Sequence, residues 1–211
     1  MTATFVAPPT LADVLTAMAA GARPVAGGTD LVVGARQGKK PLPQSLVAIH
    51  QLDELRAITL TTTGLRIGAL VSHEQIIADA TIRATYPALA DASAIVGSHA
   101  TRAHGTLGGN VMTASPAMDT GSPLLCFGAT AILQSASGTR SVPIDELWTG
   151  PGRTVAEPHE LLVAIDLPAL APGTSSCYVP LSIGGRWRSP SSVPEHKSRW
   201  STVSLPMPGW P

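Results

Sequence analysis

Two glycine pairs in this sequence stand among residues suited to holding an anion. The first lies in Val25-Ala26-Gly27-Gly28-Thr29-Asp30-Leu31-Val32. One short apolar run ends at the pair and another begins after it, which reads as strand, turn and helix. Glycine tolerates positive φ and puts no Cβ between the backbone and a ligand. Successive N–H groups in such a turn, next to the positive end of a helix, make a cradle for phosphate. The run has no G-x-G-x-x-G and no G-K-[ST], so it is neither the dinucleotide fingerprint nor the Walker loop. An ordinary tight turn beside a helix cap is the plainer reading of the same residues.

The second pair lies in Gly105-Thr106-Leu107-Gly108-Gly109-Asn110, followed by Thr113, Ser115 and Asp119. Thr106, Asn110, Thr113 and Ser115 can donate to phosphate or ribose, and Asp119 can accept from a ribose diol. Arg102, just upstream, could balance a diphosphate. His99 and His104 flank the loop and read as exposed. The plainer reading is a polar loop between helices, with Asn110 as a cap.

These loops need elements to hold them. Thr10 caps a helix over LADVLTAMAAGA, with Leu11, Val14, Leu15 and Met18 on one face. RPVA is a short strand that ends at Gly27-Gly28, and a helix follows from Thr29 or Asp30 through LVVGAR. SLVAI is a further strand, so residues 1–55 read as a compact β-α-β unit. AITLTTTGLRIGAL reads as a hairpin. Ser72 and Gln75 form a capping box before QIIADA. PALADASAIVG and SPLLCFGA are helices, with Cys126 in the second expected in the core. ATAILQSASGTRSVPI is a second hairpin, and ELLVAIDLP is a closing strand. Strands bracketing a block of helices indicate an α+β fold.

Composition sets outer bounds. The 211 residues carry 14 basic and 14 acidic side chains, 13% charged and 44% apolar. Zero net charge gives no general electrostatic case for nucleic acid or an anionic membrane. No apolar run reaches the ~20 residues of a membrane span. The first residues lack a signal-peptide pattern, so a cytoplasmic location is expected. Cys126 and Cys177 are too few for a zinc site or an iron–sulfur cluster, and the 6 histidines are scattered. Any redox carrier on this chain is expected to be organic.

AGGTDL, then GTLGGN about 80 residues later, then ASPAMDT, GPGRT and PHELLVAIDLP together resemble the flavoprotein subunit of molybdenum hydroxylases, the xanthine dehydrogenase and carbon monoxide dehydrogenase type. The resemblance spans roughly residues 5–179. It implies a two-part α+β FAD-binding domain of the p-cresol methylhydroxylase type, a small β-α-β unit plus a mixed or antiparallel sheet with helices. It places the FAD diphosphate on Ala26, Gly27, Gly28, Thr29, Asp30 and Leu31, flanked by Val25 and Val32. It places the other side of the dinucleotide on Thr106, Leu107, Gly108, Gly109 and Asn110. Thr113 falls near a phosphate, Asp119 near a ribose, and Leu161 or Leu162 at the adenine. Val96 stands where the family can carry an aromatic. No position matches a covalent flavin link, so the FAD is expected to be non-covalent.

The family's function, so implied, is electron transfer with no catalytic side chain on this subunit. Substrate is oxidised at a molybdenum cofactor on a large subunit. Electrons cross [2Fe–2S] clusters on a small subunit, reach FAD here, and leave to NAD or another acceptor. No metal sits on this chain in that scheme. The alternatives are a stand-alone flavin reductase of the same fold class and a non-catalytic nucleotide-binding module. A β-branched residue at Gly27 or Gly108 is expected to push against the diphosphate and lose FAD without unfolding.

Domain boundaries are expected at 1–55, 56–179 and 180–211. The last stretch holds 6 of the 19 prolines and three of the four tryptophans, Trp187, Trp200 and Trp210. It keeps no period and reads as an unstructured tail. A GC-rich codon choice for residues 181–210, read two nucleotides later, yields LDRREMEIAVVGAGAQVTLVDGVVADARV, with a hairpin-like VTLVDG. A frameshifted reading of the family's continuation is the expectation for this tail, and a genuine disordered tail or a lineage-specific terminus is the alternative.

Overall fold

The computed structural model of the chain describes residues 4–38 and 41–180. Lys39, Lys40 and the expected tail from Leu181 onward lie outside the described residues.

The first lobe begins with β1 (Thr4–Val6) and α1 (Leu11–Ala19). Thr10 caps α1, its hydroxyl oxygen accepting the Asp13 amide at 3.2 Å. Val14, Leu15 and Met18 recur at helical spacing and are buried. β2 (Arg23–Val25), α2 (Leu31–Arg36) and β3 (Ser45–Ala48) complete the lobe. The three strands are parallel in the order β1-β3-β2. β1 lacks a sequence signal because all three of its residues are exposed and no alternation marks it.

A 3-10 turn (Asp53–Arg56) leads into β4 (Ile58–Thr61) and β5 (Gly64–Gly68). Six short helices follow: α3 (His73–Ala78), α4 (Ala80–Thr85), α5 (Pro87–Ala94), α6 (His99–His104), α7 (Leu107–Thr113) and α8 (Gly121–Cys126). Both halves of the Ser72–Gln75 capping box form at α3. Then come β6 (Thr130–Ser135), β7 (Gly138–Pro143), α9 (Ile144–Leu147), β8 (Trp148–Gly150), β9 (Arg153–Thr154) and β10 (Leu161–Pro168). The two expected hairpins pair with β10 between them, giving an antiparallel sheet in the order β4-β5-β10-β6-β7. The α+β class follows directly.

β10 explains how the lobes join. Its side chains alternate between faces, with a register shift between Leu162 and Ala164. Leu162 and Ile165 enter the core formed with Leu89, Leu107, Val111 and Leu124 of the helices. Leu161 and Val163 enter a second core with Val14, Leu15 and Met18 of α1 and Val47 of β3. A strand covered on both faces reads as an unbroken apolar run, as ELLVAIDLP does. Cys126 departs from expectation. It is exposed at the end of α8, whose buried side chains are Pro123 and Leu124.

Candidate functional site

β2 ends at Val25, paired with Ala48, and the chain turns through Ala26 to Asp30 before α2. Gly28 has φ +67, the left-handed region that glycine enters at no steric cost. Among the described residues, no hydrogen bond is made by the amides of Gly27, Gly28, Thr29, Asp30 or Leu31. Five consecutive unpaired donors demand water or a ligand, because backbone donors are seldom left unmatched. Asp30 precedes α2 but forms no side-chain cap. Val32 is exposed, and Val25 and Ala26 are half-buried.

The second loop is built differently. Thr106 caps α7, its hydroxyl oxygen accepting the Gly109 amide at 3.1 Å. The Leu107 and Gly108 amides donate to the Val71 and Ala69 carbonyls, and the Asn110 amide donates to the Thr106 carbonyl. The backbone donors from Leu107 to Asn110 are therefore spent within the protein, and the Thr106 amide, which makes no hydrogen bond among the described residues, and the side chains are what the loop can offer. Of these, Asn110 Oδ1 accepts from the buried Thr120 hydroxyl at 2.5 Å. Thr113 donates to the Gly109 carbonyl at 2.9 Å. Asp119 accepts from the Tyr178 hydroxyl at 3.0 Å. Thr106, not Asn110, is the cap.

The two loops meet. A Cβ at Gly27 would overlap the carbonyl oxygen of His104, and one at Gly105 would lie 3.4 Å from Thr29 Oγ1. A Cβ at Gly108 would come within 2.7 Å of Ala69 Cβ and carbonyl oxygen. Gly27 and Gly108 are thus glycine because protein backbone crosses them. That corrects the sequence expectation: the obstacle to a larger residue is a carbonyl oxygen or Ala69. Leu161 and Leu162 are brought to neither loop's surface, being buried in the two cores on opposite sides of β10.

Charge around the loops is unevenly committed. Arg102 Nη1 donates to the Val96 and Gly97 carbonyls at 3.3 and 3.0 Å, tying down the end of α5. His73 is buried beneath the second loop, with its amide on the Gly105 carbonyl and Nδ1 3.4 Å from Ser93 Oγ. Burial first, and then the Arg102 charge, lower its pKa to about 4, so it is neutral at pH 7. Burial raises the Asp119 carboxyl above its ordinary range, against the Tyr178 hydrogen bond, which lowers it. His99 and His104 are exposed, as expected, though on helix α6. His73 and Tyr178 carry no motif. The capping box gave away Ser72, but as a helix signal.

Residues 1–170 match the model of the FAD binding domain in molybdopterin dehydrogenase. The chain belongs to this family. It is an FAD-binding domain of a family of oxidoreductases, as the resemblance implied. The chain is 36% identical over 162 residues to the xanthine dehydrogenase FAD-binding subunit of Escherichia coli O157:H7, covering 75% of this chain and 55% of that protein. It is 29% identical over 163 residues to the carbon monoxide dehydrogenase medium chain of Hydrogenophaga pseudoflava, covering 77% and 57%. Among solved structures, carbon monoxide dehydrogenase from Hydrogenophaga pseudoflava superposes with a TM-score of 0.81 at 27% identity, over 86% of this chain and 64% of that one. Quinoline 2-oxidoreductase from Pseudomonas putida 86 gives 0.77 at 29%, over 83% and 62%. The chain spans about half the length of the curated relatives it matches. Among the described residues no helix is long and apolar enough to cross a membrane, and no group of three or more His, Cys, Asp or Glu could hold a metal.

Proposed function

We propose that this chain holds FAD non-covalently between its two lobes and serves as the electron-transfer flavoprotein part of a molybdenum-containing dehydrogenase. The observation that carries this is the run of five unpaired amides from Gly27 to Leu31, in a chain whose family is defined by FAD binding. The residues fit the cofactor there. Gly28, at φ +67, has no atom nearer than 3.5 Å to a would-be Cβ, so the turn stays open on that side. An anionic diphosphate satisfies several such donors at once.

In this reading Ala26, Gly27, Gly28, Thr29, Asp30 and Leu31 hold the diphosphate, with Val25 and Val32 flanking. The second loop, from Thr106 through Leu107, Gly108 and Gly109 to Asn110, forms the facing wall. Its rigid internal bonding keeps that wall in place. Thr113 and Asp119 serve a phosphate and a ribose, with Leu162 packed in the core beside Leu107 and Val111 of α7. FAD, when bound, supplies the redox chemistry. The protein positions the cofactor and excludes water, and no side chain need act as acid, base or nucleophile. The electron donor is a [2Fe–2S] small subunit fed by a molybdenum-cofactor large subunit in the cytoplasm. The acceptor is NAD or another oxidant.

The test is direct. Purified chain is scanned for visible flavin absorbance, then denatured with acid and centrifuged. FAD in stoichiometric amount, all released to the supernatant, is the expected result. A colourless protein that takes up no added FAD ends the proposal. Co-purification with a molybdenum subunit and an iron–sulfur subunit tests the assembly.

A further inference from the structure

A pocket of about 320 Å³ opens between the lobes, at the carboxyl end of the parallel strands β2 and β3. Gly27 lines it, and so do Ser72, His104 and Thr106. The segment after β3 contributes His50 and Arg56, and among the described residues no acidic side chain lines the wall. Arg56 is held in place by donating Nη2 to the His50 carbonyl at 2.5 Å, and its Nε lies 3.6 Å from the exposed Asp53 carboxylate. A guanidinium has five N–H donors, so these contacts leave most of them unused.

Two buried hydroxyls point to a ligand in the same place. Ser72 is 8% exposed and Thr106 is 7% exposed. Each hydroxyl oxygen already accepts an amide, Gln75 for Ser72 at 3.2 Å and Gly109 for Thr106 at 3.1 Å. Each therefore keeps its own proton to donate, and neither has an acceptor among the described residues. A pocket lined by an arginine, two hydroxyl donors and the first of five unpaired amides lacks only an acceptor-rich, negatively charged guest. Arg102, the cation that the sequence suggested for this role, is spent on the Val96 and Gly97 carbonyls and does not line the pocket.

We propose that Arg56 faces the diphosphate across this pocket from the Gly27 loop, as its charge partner, with Ser72 and Thr106 donating alongside. This deepens the FAD reading and rests on it. The open ends of parallel strands are where α/β sheets take ligands, which places the charge where a dinucleotide would pass.

The experiment is FAD titration, followed by flavin fluorescence, of the whole chain and its Arg56→Gln and Arg56→Lys variants at low and high salt. Thermal melting without FAD serves as the folding control. Arg56→Gln should weaken FAD binding about tenfold at low salt, the size of a charge-assisted contact, with the gap narrowing at high salt. Arg56→Lys, which keeps the charge and loses the fork, should stay within about threefold of the parent. Wild-type affinity in Arg56→Gln would overturn the assignment while leaving the FAD reading intact. A Lys variant as weak as the Gln variant would also overturn it, because the His50 contact would then be what matters. If the parent chain takes up no FAD, both readings fall together.

Discussion

The Cα of Gly27 rests against the main-chain carbonyl of His104, leaving no room for a side chain at position 27. That carbonyl belongs to the last residue of α6, so the contact joins the first lobe's loop to the second lobe's helices. The closeness of the lobes, rather than the approach of a ligand, is what demands glycine there. Gly28 next to it is demanded by its backbone angle instead.

The two substitutions should therefore part company. Gly27→Ala forces backbone apart and should cost about 3 kcal/mol, on the order of 10 °C in a chain of this size, with loss of FAD. Gly28→Ala strains one left-handed residue and should cost about 1 kcal/mol. Melting curves and flavin content of the two variants decide it. Equal melting points would show that the His104 contact is not tight.

Thr106 sits at the start of α7, where a cap is worth about 1 kcal/mol. Thr106→Ala should lose that amount and free the Gly109 amide, while Thr106→Ser should keep it. The reading is chemical denaturation of the three proteins at fixed pH. An alanine variant as stable as the parent would mean the hydroxyl is not the cap.

How much of this could be read from the sequence differs by element. Thr10, the Ser72–Gln75 box and the period-2 runs of the hairpins are local signals, and each formed where it was expected. The Gly27-Gly28 turn was legible as a turn because Gly28 takes a left-handed angle that glycine favours. β1 was hidden, since three exposed residues paired only with β3 leave no pattern. The partners of Arg102 and Arg56 were hidden for a different reason. One guanidinium turned to Val96 and Gly97 and the other to His50, and such choices are made by tertiary contacts. Cys126 was placed wrongly because a helix as short as α8 buries only part of its surface.

Tyr178 donates to Asp119 at 3.0 Å and its amide reaches Asp91 at 3.3 Å, so it ties the segment after β10 to the polar loop. Tyr178→Phe removes the larger of the two hydrogen bonds that pull the Asp119 carboxyl down, leaving a backbone bond to lower it and burial to raise it. Asp119 should then titrate at higher pH. A carboxyl raised in the folded state costs stability above that pKa, and the cost fades as pH falls through it. The variant should thus be less stable than the parent by about 1 kcal/mol at pH 7, with the gap closing in acid. Carboxyl NMR titration with paired melts checks both parts. An unmoved Asp119 titration would contradict the hydrogen bond.

His73 should govern part of the acid limb of stability. Its ring lies 1% exposed beside Ser93, under the Gly105 carbonyl, and Arg102 is the charge that acts on it. In the unfolded chain it takes a proton near pH 6.5, its ordinary value. In the folded chain burial and Arg102 hold it neutral until about pH 4. Between those values the unfolded state binds more protons, so stability falls as pH falls, then levels below the folded value. The full effect is on the order of 3 kcal/mol. Asp119 titrates with the opposite sign, so the parent's own curve mixes the two, and a variant is needed to separate them. His73→Leu keeps an apolar side chain in the buried site and keeps the backbone amide on Gly105. It should be less stable than the parent at pH 7, and the difference should shrink steadily between pH 6.5 and 4. Because the second glycine loop rests on this residue through the Gly105 carbonyl, release of any FAD bound there by mild acid should follow the same window in the parent and shift in the variant. Parallel stability curves for parent and variant across that range would mean that His73 takes its proton without unfolding, and the buried neutral imidazole would have to be given up.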